Sequence, residues 1–304
     1  MPSDPPLKLY FAAAYNSHFG LRGGAYEILN EHEKRERHRA IHMLESYHYI
    51  HNPKYVDTIR GDGIKVFLDS GAFSAFTTGI DVDIKAYCQY CQKYADVIEV
   101  ASVLDGIGDP LKTYQNQKLM ESYGVRPLPC FHYGEDERYL EYYIANYEYI
   151  TLGGMVPIST PQLKLWLDRI WHTHLTDEHG RPRVKVHGFG LTVVDLMMRY
   201  PWYSVDSSSW LQISSFGNVL IPEFGIVCFS TTSPQRKNQD RHYDNLPEEM
   251  RAGIRDSVER RGYDVERLRV LYHSRRVFNI TAFLETVQDK HSVPTFKQVQ
   301  PLLF

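Results

Sequence analysis

The sequence predicts an α/β fold in which eight parallel strands and the helices between them form a single barrel. Short apolar segments alternate with segments of helical period along most of the 304 residues, a pattern typical of a parallel sheet. No internal repeat, low-complexity tract or linker divides the chain. We therefore expect one domain over residues 1–304, with a helical segment, 246–304, that closes the barrel.

Seven strands are expected before residue 210, where seven short apolar segments occur between helical or turn-like segments. In chain order they are Lys8–Tyr15, Lys65–Ser70, Val97–Asp105, Pro127–His132, Tyr149–Gly153, Val184–Gly188 and Tyr203–Asp206. An eighth strand is expected within 219–230. Eight units of strand and helix favour a closed barrel over an open sheet.

The intervening segments predict helices within 25–50, 83–95, 109–123 and 160–175. Asp109 and Pro110 are typical of an N-cap and a first helical residue, and Gly124 is typical of a helix stop. The segment 31–39 mixes charges of both signs, which favours a solvent-exposed helix face over a binding site.

The composition excludes several classes of protein. No apolar run reaches the length of a membrane span, and the N-terminus lacks a signal-peptide pattern. The formal net charge of -3 is unlike that of a strongly basic nucleic-acid coat, although it allows a local basic groove. Four cysteines are too few for a disulfide scaffold, so we expect a reducing, cytoplasmic location.

Polar residues and glycines occur where six of the predicted strands end. They are Asp69, Asp105, His132, the pair Gly153 and Gly154, His187 and Asp206. Active sites of such barrels lie at the carboxyl ends of the strands. A single aspartate at a strand end is more often a turn residue, and Asp206 alone would fit a helix or turn cap. The repetition at several strand ends favours a shared active site.

The residue types at this edge suit acid–base chemistry on a flat ligand. Neighbouring carboxylates in a partly dry pocket have their pKa values pushed apart, so that one can attack while another carries protons. Gly153 and Gly154 would let a flat ligand approach the backbone, and Phe73 would offer a ring for stacking. The alternatives are a tight turn for the glycines and a core position for Phe73.

Four segments of this edge resemble, in order and approximate spacing, the tRNA-guanine transglycosylases, also called queuine tRNA-ribosyltransferases. They are DSGAF (69–73), LGGM (152–155), HGFG (187–190) and SVDSSSW (204–210). The segment 271–287 is similar to the last helix of that family. The resemblance implies a (β/α)8 TIM barrel. It also implies exchange of a guanine in nucleic acid for a 7-deazaguanine through a covalent enzyme–sugar intermediate.

The resemblance also implies roles for individual residues. Asp206 matches the nucleophile that attacks the sugar C1′, and Asp69 matches the general acid and base. Asp105 matches the aspartate that contacts the guanine edge. The full set implied for base binding is Ser70, Phe73, Asp105, His132, Gly153, Gly154 and His187. No cofactor is expected, because one N-glycosidic bond replaces another.

The sequence departs from the tRNA enzymes in ways that favour a DNA substrate. Their zinc site, a CxCxxC cluster with a later histidine, is absent, so we expect neither the zinc subdomain nor a bound metal. His132 stands where those enzymes have glutamine. These departures are similar to phage and bacterial relatives that modify DNA, and a phage protein would act in the host cytoplasm. The expected partners are DNA and a free 7-deazaguanine base, with tRNA as the alternative.

The basic residues expected to contact phosphates lie in two segments, 234–242 and 273–276. They are Arg236, Lys237, Arg241, Arg275 and Arg276. A solvated loop is the alternative for the first segment. Two rival functions stay open: a metal-dependent hydrolase on the same barrel, and an inactive nucleic-acid-binding paralogue. The sequence also leaves open whether the protein is a homodimer.

Overall fold

The computed structural model describes residues 7–12, 24–40, 42–50, 52–79, 81–233, 240–289, 291 and 295–296. Eight strands form one all-parallel, curled sheet in the order β4-β3-β2-β1-β8-β7-β6-β5. Their bounds are β1 Lys8–Ala12, β2 His42–Ser46, β3 Lys65–Asp69, β4 Ile98–Ala101, β5 Cys130–His132, β6 Tyr149–Gly153, β7 Lys185–Gly188 and β8 Ser204–Ser207. The architecture is that of a TIM-like α/β fold.

Helices follow most of the strands. Within the described residues they are α1 Gly24–Glu27, α2 Glu31–Arg37, α3 Tyr47–Ile50, α4 Pro53–Gly61, α5 Ala72–Thr78, α6 Ile84–Lys93, α7 Pro110–Ser122, α8 Glu137–Asn146, α9 Thr160–Ile170, α10 Val194–Arg199, α11 Ser209–Ser215, α12 Glu248–Arg260, α13 Val265–Val270 and α14 Tyr272–Phe283. Single π-helical turns, Trp171–Leu175 and Leu284–Gln288, extend α9 and α14, and a 3-10 turn spans Tyr243–Asn245. None of these helices has the length and apolarity needed to cross a bilayer.

The two faces of the sheet are buried in different ways. Successive side chains of a strand point to opposite faces. In β3, Val66 and Leu68 belong to the large core that includes residues of the surrounding helices. Phe67 belongs instead to a small cluster with Tyr10 on the concave face. Because Asp69 is two residues after Phe67, it lies on the concave face as well.

The two strands at the ends of this order are β4 and β5. Hydrogen bonds join the residues at and just after the end of β4 to a residue just before the start of β5. The Leu128 amide donates to the Ala101 carbonyl at 2.8 Å, and the Val103 amide donates to the Leu128 carbonyl at 3.0 Å. Ser102 and Leu128 thereby form a parallel bridge.

The predicted long helix within 25–50 is wrong. This segment contains the short helices α1 and α2, the strand β2 and the single turn α3. β2 pairs with β1 and with β3, where Ser46 is the register partner of Asp69. Its five residues sit among charged, helix-favouring neighbours, so the pairing of two flanking strands decides their conformation.

The predicted eighth strand within 219–230 is also wrong. These residues form a separate antiparallel hairpin of β9 Asn218–Ile221 and β10 Gly225–Cys228. The strand of the sheet that the sequence did not predict is β2. The predicted number of eight strands was therefore right, but one strand was placed in the wrong segment. Asp206 consequently lies in the eighth strand of the sheet and not in the seventh.

The other predicted helices are confirmed, with shifted ends. Asp109 caps α7 by accepting a hydrogen bond from the Lys112 amide at 3.0 Å, and Gly124 follows that helix with φ of 81°. The C-terminal region is helical through α12, α13 and α14. Ten consecutive residues of α14, 274–283, are buried, so this helix is part of the core.

Candidate active site at the carboxyl ends of the strands

A cavity of about 780 Å³ opens at the carboxyl ends of the parallel strands. Six of the predicted site residues line it: Asp69, Phe73, Asp105, His132, Gly153 and Gly154. The other lining residues come from β5 (Cys130), from the start of α7 (Pro110) and from the loops after the strands: Ile107, Gly108, Tyr133, Gly134, Glu135, Asp136, Met155, Val156, Phe189 and Gly190. The structure therefore gathers most of the predicted set around one space.

Asp206 lies on the concave face of β8 and is only 5% exposed. It does not line the cavity itself, but its hydrogen-bond partner Gly190 does. Its Oδ1 accepts hydrogen bonds from the Gly190 amide at 2.9 Å and from His187 Nε2 at 3.2 Å. None of the described residues makes a hydrogen bond to its Oδ2. Helix α11 has Ser208 as its N-cap residue, which excludes the helix-cap alternative for Asp206. The carboxylate is thus held through one oxygen only.

A chain of hydrogen bonds beneath the cavity orients Asp206. The Tyr149 hydroxyl contacts Ser204 Oγ, which lies 2.6 Å from His187 Nδ1. Burial lowers the pKa of His187, against the opposing effect of Asp206, so the imidazole is neutral. With its proton on Nε2, it donates to Asp206 and accepts from the Ser204 hydroxyl.

His187 and Ser70 are fully buried and do not line the cavity, so the structure gives no support to their expected base-binding roles. The His187 ring packs against Phe67 and Phe189, with centroids 4.4 and 4.7 Å apart, and only Phe189 reaches the cavity. The Ser70 amide donates to Ser102 Oγ at 3.0 Å, which fixes the turn after β3. His187 is therefore a positioning residue for Asp206.

Asp69 ends β3 on the cavity wall. Its Oδ2 accepts a hydrogen bond from the Gly71 amide at 2.9 Å. Gly71 has φ of 75°, and a Cβ there would lie 2.7 Å from Ser46 Oγ, so the turn requires glycine. Burial raises the pKa of Asp69 to about 7, with the charges of Asp105 and Asp206 acting in the same direction. Both protonation states of this carboxyl are therefore populated near neutral pH.

We expect Asp69→Asn to raise the free energy of unfolding at pH 8 by up to about 4 kcal/mol, with little change at pH 4. The pKa of Asp69 is higher in the folded protein than in the unfolded chain. Stability is therefore lost as the pH rises from about 4 to about 7, and asparagine removes this loss. Urea unfolding at both pH values measures the effect.

Asp83→Asn is the control for this stability prediction, because Asp83 caps α6 on the surface and asparagine caps equally well. No gain at pH 8 for Asp69→Asn, or a gain of the same size in the control, would contradict the raised pKa of Asp69.

Asp105 and His132 meet on the wall of the cavity. His132 Nε2 lies 3.5 Å from Asp105 Oδ2 and 3.4 Å from Cys130 Sγ, and its Nδ1 lies 2.8 Å from Glu135 Oε1. Burial opposes a charge on the imidazole, but Cys130, Asp105 and Glu135 together raise the pKa of His132. Burial also raises the pKa of the Cys130 thiol to about 11.

Gly153, Gly154 and Phe73 all line the cavity, where a flat ligand could reach them. A Cβ on Gly153 would lie 2.9 Å from both Cys130 Sγ and His132 Cδ2, and Gly154 has φ of 66°. Close packing and backbone geometry therefore explain the two glycines as well as ligand approach does. Phe73 is 68% exposed, which excludes the core alternative for its ring.

The basic residues predicted to contact nucleic acid are not all available. Arg236 and Lys237 lie outside the described residues, and Arg241 is exposed. Helix α14 buries Arg275 and Arg276 to 6% and 2% exposure, so the structure gives no support to their predicted phosphate contacts. Arg275 Nη1 donates to the Leu268 carbonyl at 2.8 Å. The Arg276 guanidinium lies over aromatic rings of the core.

Sequence reasoning missed five residues that shape the site: Cys130, Tyr149, Glu135, Gly190 and Ser204. Local signals existed for Glu135 and Cys130, which lie three residues after and two residues before His132. The Tyr149–Ser204–His187 chain crosses three strands, so no spacing within one segment reveals it.

Comparison with known proteins leaves the site to be interpreted from its own chemistry. No family model matches the chain, and no curated protein matches it. Among the described residues, fold and site define an α/β protein with a parallel curled sheet and a cavity lined by four carboxyl side chains, Asp69, Asp105, Glu135 and Asp136. Asp206 is near enough for its charge to raise the pKa of Asp69.

Proposed function

We propose that this protein is a transglycosylase that exchanges a guanine in DNA for a 7-deazaguanine base through a covalent bond between Asp206 and the sugar C1′. The observation that supports it best is the geometry of Asp206. One oxygen is fixed by Gly190 and His187, while the other makes no hydrogen bond to the described residues. A carboxylate held in this way is suited to attack an anomeric carbon, as in retaining glycosidases.

The proposal includes a closed (β/α)8 barrel formed by a single domain, with a helical C-terminal extension and no zinc subdomain. The hydrogen bonds between Leu128 and the residues around Ser102 support closure, because they connect the two ends of the strand order. Helices α12 to α14 would be the extension.

Asp69 would move the proton in both halves of the reaction. When Asp206 attacks C1′, the bond from C1′ to the guanine N9 breaks, and the protonated Asp69 donates to the departing base. The incoming base then gives its N9 proton to the ionised Asp69 and attacks C1′, which releases Asp206. A pKa of about 7 suits both steps near neutral pH. No external energy source or redox cofactor is required.

Other residues of the cavity wall would hold the flipped base. Extrusion from the duplex costs a few kcal/mol, which stacking and edge contacts offset. Phe73 would stack on the ring, and Asp105 would accept from the guanine N1–H and amino group. His132 and the backbone at Gly153 and Gly154 would meet the remaining edge. All five line the cavity.

A base-exchange assay with radiolabelled guanine, run separately on duplex DNA, single-stranded DNA and tRNA, tests the proposal. We expect incorporation into DNA and none into tRNA. Incorporation into tRNA alone would replace the DNA assignment by the tRNA alternative. No exchange on any of the three would refute the transglycosylase assignment.

We expect Phe73→Ala to raise the KM for the nucleic acid by roughly 5- to 150-fold, the range that a base–aromatic stack of about 1–3 kcal/mol gives. The variant should fold normally, because the ring is 68% exposed. Phe76→Ala is the matched control, since Phe76 lies on the same helix, is 66% exposed and does not line the cavity. Equal KM changes in the two variants would exclude stacking on Phe73.

A further inference from the structure

Three side chains of different metal-ligating types meet on the cavity wall. Cys130 Sγ lies 3.4 Å from His132 Nε2, which lies 3.5 Å from Asp105 Oδ2. The three ligand atoms all lie within 4.8 Å of one another. In a tetrahedral zinc site, bond lengths of about 2.0–2.3 Å separate neighbouring ligand atoms by roughly 3.3–3.6 Å. Both of these separations match that spacing, and the third pair, Cys130 Sγ and the Asp105 carboxylate, lies within 4.8 Å.

Glu135 supports the cluster from behind. Its Oε1 lies 2.8 Å from His132 Nδ1, and its Oε2 accepts from the His132 amide at 2.9 Å. This two-point contact fixes the ring and leaves Nε2 facing Cys130 and Asp105. A carboxylate that holds the far nitrogen of a histidine is a common partner of metal-bound imidazole.

A buried carboxylate oxygen also belongs to the cluster. Asp105 Oδ1 is buried and has no hydrogen-bond partner within the described residues. At Gly153, any side chain would press on Cys130 Sγ and His132 Cδ2, so the bare backbone keeps the cluster intact.

We propose that Asp105, Cys130 and His132 bind one Zn²⁺ or a similar thiophilic divalent ion whose fourth position opens to the cavity. Sulfur and imidazole ligands select against Mg²⁺ and Ca²⁺. All three residues line the cavity, so a water or a ligand atom would complete the coordination. Three protein ligands with one exchangeable position are typical of catalytic zinc sites and unlike closed structural ones.

This proposal departs from the metal-free protein that the sequence predicts. That prediction considered the missing cysteine cluster of the tRNA enzymes, whereas the present ligands come from β5 and from the loop after β4. The inference is independent of base exchange. If both hold, the open position of the ion would meet a carbonyl oxygen or ring nitrogen of the base in place of His132 Nε2.

Metal titration of the full-length protein tests the site. After dialysis against a chelator, the protein is titrated with Zn²⁺ by calorimetry and with Co²⁺ by absorption spectroscopy. We expect one equivalent of each, and a sulfur-to-cobalt charge-transfer band in the near ultraviolet. Absence of saturable binding, or binding of Co²⁺ without the charge-transfer band, would overturn the proposal.

Variants separate this site from adventitious binding. Cys130→Ala should abolish the charge-transfer band, and Glu135→Gln should weaken Zn²⁺ binding by about 10- to 100-fold while keeping all three ligands. Cys88→Ala, which removes another buried cysteine, should bind as the wild type does. Circular dichroism checks that each variant is folded. An unchanged band in Cys130→Ala would refute the site.

The titrations need no nucleic acid, so their outcome is separate from that of the exchange assay. Stoichiometric zinc without base exchange on any substrate would keep the metal site, refute the transglycosylase and favour the metal-dependent hydrolase alternative. Base exchange by a protein that binds no metal would keep the proposed function and refute the metal site.

Discussion

Replacing Asp206 by asparagine is expected to reduce base exchange by about 10⁴-fold or more and to abolish the covalent protein–DNA adduct. An amide is not a competent nucleophile at C1′. The asparagine Oδ1 can still accept from the Gly190 amide and from His187 Nε2, so folding and nucleic-acid binding should persist. A denaturing gel of enzyme mixed with DNA, with and without an incoming base, measures the adduct.

The serines after Asp206 provide the matched controls. Ser207 Oγ accepts from the Ser209 amide at 3.1 Å, and Ser208 Oγ accepts from Gln212 Nε2 at 2.8 Å. Both hydroxyls fix the start of α11, so Ser208→Ala should form the adduct normally. If Asp206→Asn still forms an adduct while Ser207→Ala or Ser208→Ala does not, the nucleophile is a serine and our assignment is wrong.

Replacing Asp69 by asparagine is expected to slow base exchange by roughly 10²–10⁴-fold, the range that loss of one proton-transferring group gives. Asparagine cannot exchange a proton with N9, but Asp206 stays in place to attack. We therefore expect the adduct to form slowly in the presence of DNA and to turn over slowly when a base is added. Single-turnover kinetics on quenched samples separate the two steps.

The pH dependence distinguishes proton transfer from a structural effect of Asp69. The wild-type rate should change between pH 6 and pH 8, since Asp69 titrates at about 7, and Asp69→Asn should lose this dependence. Asp83→Asn should keep the wild-type rate and profile. An Asp69→Asn variant with an unchanged pH profile would exclude Asp69 as the proton-transferring group. Slower exchange combined with higher stability at pH 8 would show that the Asp69 carboxyl lowers the stability of the wild-type protein but is needed for the reaction.

The positioning role of His187 explains why a histidine occupies a fully buried place. A neutral imidazole connects the Ser204 hydroxyl to Asp206 and so fixes the carboxylate without adding a charge beside it. The resemblance to a known family gave His187 a place on the ligand face. The His187 side chain does lie on the concave face, but its ring packs against Phe67 and Phe189 and does not line the cavity.

The sequence by itself determined the features that depend on local chemistry. Alternating apolar and helical segments predicted the parallel sheet, Asp109 and Gly124 bounded a helix, and the strand ends located Asp69, Asp105, His132 and Asp206 at one edge. These signals are local because side-chain periodicity and turn chemistry act over a few residues. Local signals did not predict β2 or its place between β1 and β3, because pairing with both neighbouring strands decides the conformation of this segment.

Only the tertiary structure decided which side chains face the cavity and which lie beneath it. It buried Arg275 and Arg276 in α14, although a pair of arginines resembles a phosphate-binding surface in sequence. It also brought Asp105 beside Cys130 and His132, from segments 25 residues or more apart in the numbering. Contacts of this kind depend on how strands curl and pair across the sheet, and residue spacing within one segment carries no information about them.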